Sequence, residues 1–386
     1  MKRIYPVCYL AVLLAPAVMA AGTEYNPQMS LILDGRYSDY SNDPASYTLP
    51  GFQPGDEAGL NSAGFSIGES ELVLSSNIDS YFSGKATFAF AEDGASVEEA
   101  FIESLAIGHG INLKFGRFLS SFGYLNSRHA HLWDFADAPL MYRALFGDTF
   151  RDDGVQINYL LPTDLFMQIS AEFLSGNTFP AGGNIDGGVG ASTVSFTIGG
   201  DMGTDHAWQT GVSHWQASNI GERLDANDNT FSGDSKIDAL HVVYKWSPDG
   251  NPLQQNFKFQ MEYFERTEDG VMTDAISSNT STCMGDQKGW YAQAVYQFIP
   301  RWRTGIRIDQ VSADNTGDNI TVLTDIGLIT DGHDAQRASA MIEWLPSEYS
   351  RLRLQFNSDQ SAADITDQQI FMQYTFSLGA HGAHQF

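Results

Sequence analysis

The sequence predicts an all-β fold: a transmembrane antiparallel β-barrel of about sixteen strands, with a long loop folded into its lumen. Three observations carry this. Segment after segment alternates apolar and polar residues. In the last one Ile370, Met372, Tyr374, Phe376 and Leu378 share one face, Phe371, Gln373, Thr375 and Ser377 share the other, and the parity runs on to Phe386. No apolar run approaches the ~20 residues of a membrane helix, whereas a barrel strand crosses the bilayer in about 9 to 11. Finally, Lys2 and Arg3, an apolar stretch over 7–18 and the small-residue site Val18-Met19-Ala20 read as a cleaved export leader. Residues 1–21 are therefore expected to be a signal peptide and 22–386 the barrel of an outer-membrane protein.

Taken in order, period-2 segments bounded by Gly, Asn, Asp and Pro fall at about 28–37, 64–76, 81–91, 97–107, 111–119, 153–161, 164–174 and 191–200, then at 207–216, 235–246, 256–266, 288–298, 301–312, 335–345, 350–358 and 367–379. After every even segment the link is short, as at Gly108-His109-Gly110, Pro162-Thr163-Asp164 and Ile299-Pro300. Most links after odd segments are long. That is the periplasmic-turn, extracellular-loop alternation of a bacterial barrel, and a miscount by one would scramble it. Lipid-facing rows show in Leu165, Met167, Ile169, Ala171 and Phe173 and in Phe257, Phe259, Met261 and Tyr263. Trp290, Trp302, Trp344, Tyr296 and Phe298 fall near segment ends, where amphipathic rings favour the membrane interface. Phe386 and its strand are expected to be the assembly signal, because the cylinder must close so that no edge meets lipid.

A formal net charge of -26 excludes nucleic-acid binding, which needs a basic footprint. Most of the acid falls between segments, among them Glu222, Asp225, Asp228 and Asp234, and these clusters read as solvated loops. Cys8 leaves with the leader, and Cys283 then reads as an incidental loop thiol.

Sixteen strands leave an aqueous channel unless something narrows it. The link from about 120 to 152 is too long and too aromatic to hang in water, so it is expected to pack inside as a constriction loop carrying Arg128, His129, His131, Trp133, Asp134, Asp137 and Arg143. Parity sends Arg303, Arg307, Arg337, Arg351, Arg353, Lys245, Lys258 and His241 to the lumen. Arginine on the lipid face would cost up to ~2–4 kcal/mol at the midplane, which fixes this register. A basic wall facing a narrowing loop would select anions. Alternatively, the same arginines pair with Glu343, Asp309 and Glu262 in a satisfied network.

Gly64-Phe65-Ser66-Ile67-Gly68-Glu69-Ser70-Glu71-Leu72, Val97-Glu98-Glu99-Ala100-Phe101-Ile102-Glu103, Leu113-Lys114-Phe115-Gly116-Arg117-Phe118 and the ending from Phe376 to Phe386 resemble the porin superfamily that includes the phosphate-selective porins. They are most similar to its proteobacterial branch labelled as zinc-regulated or TonB-dependent outer-membrane receptors. The resemblance implies a channel in the outer membrane of a Gram-negative bacterium; with the basic wall, passive diffusion of small hydrophilic, anionic solutes is expected. A zinc-linked uptake or binding protein is the alternative, with His129 and His131 as candidate ligands beside Asp134, and with His381 and His384 closing the chain. Without a G-x-S-x-G elbow or a spaced triad, no enzyme activity and no cofactor are expected. The expected partners are outer-membrane lipid and lipopolysaccharide, the barrel-assembly machinery and small solutes; a homotrimer is compatible with this reading.

Overall fold

A computed structural model describes residues 27–379 except 56–57, 92–93, 185–186 and 331. The leader, His381, His384 and Phe386 lie outside the described residues. The strands are β1 (Gln28–Tyr40), β2 in two pieces (Gly64–Ile67 and Ser70–Asn77), β3 (Phe82–Ala91), β4 (Gly94–Ser104), β5 (Ile111–Leu119), β6 (Arg151–Leu160), β7 (Phe166–Leu174) and β8 (Ala191–Met202). They continue as β9 (His206–Leu224), β10 (Thr230–Trp246), β11 (Asn256–Thr273), β12 (Thr280–Ile299), β13 (Trp302–Thr316), β14 (Ala335–Ser347), β15 (Ser350–Gln360) and β16 (Asp367–Gly379). Each strand pairs antiparallel with its sequence neighbours, and β1 closes the cylinder on β16 from Ser30 opposite Gly379 to Tyr40 opposite Gln369. The result is a closed sixteen-stranded barrel, as expected.

The expected faces hold along the strands. On β16, Ile370, Met372 and Tyr374 are exposed while Phe371, Gln373 and Thr375 are buried. On β15, Leu352, Leu354 and Phe356 point out and Arg353, Gln355 and Asn357 point in. The apolar belt is thus outermost, and the polar side chains are sheltered inside.

Two expectations are corrected. Strands β9 to β12 run well past their expected ends, through the acidic stretches read as loops: Glu222 lies on β9, Asp234 on β10 and Asp269 on β11. In these extensions Asp234, Thr267 and Asp269 face outward, so the apolar half of the alternation weakens while the ladder continues from Gly233 opposite Gly270 to Thr230 opposite Thr273. Cys283 is not a loop thiol. It sits on β12, 2% exposed, within the apolar core.

That core lies inside the barrel. Phe118, Phe122, Leu125, Leu140, Met141, Tyr142, Leu145, Phe146 and Phe150 of the 120–150 segment and its flanks pack on the inward Trp215, Phe231, Ile237, Phe264, Tyr291 and Val311 of the wall. Leu49 and Phe52 from the β1–β2 link and Leu323 and Leu328 from the β13–β14 link join the same cluster. Helix α1 (Leu140–Phe146) starts after Pro139, contains no β-branched residue, and stops at Gly147, whose left-handed backbone (φ 78°) lets its N–H bond the Arg143 carbonyl.

Candidate functional site

A loop is costly to bury because its backbone polar groups lose water. Here the wall supplies the partners. Glu262 of β11 accepts hydrogen bonds from the backbone N–H groups of Tyr124 (2.8 Å) and Leu125 (3.0 Å) and from the hydroxyls of Tyr142 and Tyr291. Glu172 of β7 accepts from the Ser121 N–H (2.7 Å) and from the Ser120 and Ser121 hydroxyls. Wholly buried Asn126 ties the loop's neck: its amide donates to the Ser120 and Phe150 carbonyls, and its carbonyl accepts from the Phe150 N–H.

The second half of the loop is held by β13 to β15, with Lys258 of β11. Asp137 pairs with Arg307 (2.8 Å) and Arg337 (2.8 Å) and accepts from Gln355 and Asn357. The same arginines donate to the loop's carbonyls, Arg307 to Asp137 and Arg337 to Ala138, while Arg353 and Arg351 donate to Trp133 and Arg351 also to His131. Asp309 accepts from the Leu140 N–H (3.0 Å), and Gln355 from the Ala136 N–H (2.7 Å). Asp134 pairs with Lys258 (2.9 Å) and Arg303 (3.6 Å). Arg143 donates to the Gly59 carbonyl.

All eight inward residues point to the lumen, but with different roles. Arg307, Arg337 and Arg353 are at most 2% exposed and lie under the loop rather than on open lumen. Their partners include Asp309 and Glu343, as the network reading expected; Glu262 instead serves the loop's backbone and two tyrosines. His241 is buried against the Tyr124 ring. Arg303, Arg351, Lys245 and Lys258 border a cavity of about 660 Å³ open toward the short-turn end of the barrel. Arg128 and Arg301 join them, giving six Lys/Arg against two carboxylates, Asp134 and Glu348, among the lining residues.

The histidines meet the wall at β2 and β4, with His131 also among the residues lining this cavity, and their partners were missed in the sequence. His129 Nδ1 is 2.9 Å from Glu98 and Nε2 is 2.9 Å from Glu99, while His131 Nδ1 is 2.6 Å from Glu71. Asp134 is not part of this group. A signal was present: Glu98-Glu99 breaks the alternation, and in a regular strand one of the two would face lipid. A register shift at Thr87/Phe88, where β3 pairs with β4, turns both inward.

Asp134 and Asp137 belong to the loop rather than to a spanning strand. Burial alone would raise both carboxyls, but Lys258 and Arg303 beside Asp134, and Arg337 and Arg307 beside Asp137, hold them well below the usual carboxylate range. Groups depressed in the folded state contribute stability that is fully present above their unfolded value of about 3.9 and is lost progressively as pH falls from there through the lower folded value. The loop should therefore stay docked, and equally resistant to limited proteolysis, from pH 8 to about 4. A step within that range would show that other groups hold the loop.

No protein-family model matches the chain. An uncharacterized protein of Aquifex aeolicus is 32% identical over 396 residues, spanning 93% of this chain and 80% of that protein. The chain belongs to that protein's family. Its fold is that of the outer-membrane porins. OprB of Pseudomonas putida superposes with a TM-score of 0.57 at 10% identity, over 92% of this chain and 94% of that one. An anion-selective porin from Comamonas acidovorans gives 0.53 at 10% identity, over 92% and 99%. At such identities it is the porin barrel that is shared.

Proposed function

We propose that this porin-fold barrel forms an outer-membrane channel for passive diffusion of small hydrophilic, anionic solutes. The observation that carries the reading is the basic vestibule: six cationic side chains against two carboxylates around a cavity of about 660 Å³, in a chain whose formal net charge is -26. In a narrow passage with low-dielectric walls, nearby fixed charge governs the local ion concentration more than distant loops do. Guanidiniums keep their charge at any physiological pH.

Purified protein in planar bilayers is expected to give stepwise conductance with an anion-selective reversal potential. Replacing Arg303, Arg351, Lys245 and Lys258 by Gln should shift that potential toward cations. The shift should shrink as the Debye length falls to about 3 Å at 1 M salt. A wild type that prefers cations, with a quadruple variant indistinguishable from it, would assign permeation to the acidic outer loops. The alternative of zinc-linked uptake or binding draws on the group where Glu71, Glu98 and His129 meet.

A further inference from the structure

We propose that His129 of the loop, Glu71 of β2 and Glu98 of β4 bind one divalent first-row transition metal ion, zinc by their chemistry, which staples the inward loop to the barrel wall. The site gives the zinc-linked alternative named residues, and it stands whether or not solutes cross the barrel.

The donor atoms are already arranged as ligands. Zinc takes imidazole nitrogen and carboxylate oxygen at about 2.0–2.2 Å, so the edge of its coordination tetrahedron is about 3.4 Å. His129 Nδ1 lies 2.9 Å from Glu98 Oε2 and 3.4 Å from Glu71 Oε2, and the three ligand atoms are all within 4.8 Å of one another. Glu71 is wholly buried, and its Oε2, aimed into this group, has no hydrogen-bond partner among the described residues. A carboxylate oxygen left so in a dry interior is costly unless a cation meets it.

The surroundings are those of a metal-bound histidine, which characteristically gives its other ring nitrogen to a carboxylate. His129 Nε2 faces Glu99 Oε2 at 2.9 Å, and Glu99 is held in turn by Lys85 Nζ at 2.7 Å. His131 Nδ1, 2.6 Å from Glu71 Oε1, fixes the other oxygen of that ligand. Two irregularities of the wall converge on the site: the register shift that turns both Glu98 and Glu99 inward, and the interruption of β2 between Ile67 and Ser70, just before Glu71. One nitrogen and two oxygens suit zinc and its first-row neighbours; calcium and magnesium need about six oxygens.

The test uses the full chain, folded in detergent micelles, stripped with a chelator and checked by heat-modifiable migration. Titration with Zn2+ against a competing chelator should show one equivalent per chain, and Co2+ should give a visible d–d band at the same stoichiometry. Glu98→Gln, which keeps the side chain's shape, and His129→Gln should abolish both signals. Glu99→Gln should keep the stoichiometry but weaken affinity about 10- to 100-fold. The double variant His381→Gln/His384→Gln should bind as the wild type does. Absence of stoichiometric uptake, uptake retained in Glu98→Gln, uptake lost with the terminal histidines, or Mg2+ competing at equal affinity would each overturn the assignment.

Discussion

Replacing residues 128–144 with a short Gly-Ser linker should raise single-channel conductance several-fold while leaving the barrel folded. The cylinder is closed by continuous strand pairing, including β1 to β16, and none of those ladders passes through the loop. What the replacement removes is the filling: Trp133, Leu140, Met141 and Tyr142 leave the core, and Phe264 and Tyr291 of the wall turn toward water. A sixteen-stranded barrel without its filling is wide enough for an aqueous channel. Unchanged conductance from folded protein would mean that the loop does not set the passage, and that the β1–β2 and β13–β14 links, which share the same core, close it instead.

Asp137→Ala should detach the second half of the loop without any deletion. Asp137 is 5% exposed and serves two arginines and two amides at once. Removing one partner from a buried ion pair costs about 3–5 kcal/mol, because the remaining charges stay desolvated. Arg307 and Arg337 would then share the Asp309 carboxylate as their ion-pair partner among the described residues. Limited proteolysis should cut the variant within the loop at rates at which the wild type resists, and its conductance should fluctuate between levels. Adding Arg337→Leu should restore part of the protection, since it removes a charge left without Asp137; a double-mutant cycle measures that coupling. Loop cleavage equal to the wild type's would show that the remaining bonds, those of Asp134, Asp309, Gln355 and Glu262 among them, hold the loop without Asp137.

The sequence by itself determined the number of strands, the face each strand turns to lipid and the inward course of the 120–150 segment. Each follows from a local rule: a period of two sends Leu354 out and Arg353 in, and a buried arginine is cheaper in a lumen than in lipid. Local rules fail where the signal itself vanishes. The outward residues of the β9 to β12 extensions are mostly polar, as Asp234, Thr267 and Asp269 are, and resemble loop, although their backbones pair as strand.

Only the tertiary structure decided which inward groups meet. Parity gives Arg307 a direction but not Asp137 as its partner, since the two are brought together by barrel closure and by the return of the loop across the lumen. The same holds for Glu262, whose carboxylate serves backbone N–H groups more than a hundred residues away in sequence. The grouping of His129 with Glu71, Glu98 and Glu99 needed a register shift in one strand pair, an interruption in another strand and the loop's path between them. None of these is periodic, and each takes its position from contacts distant in sequence.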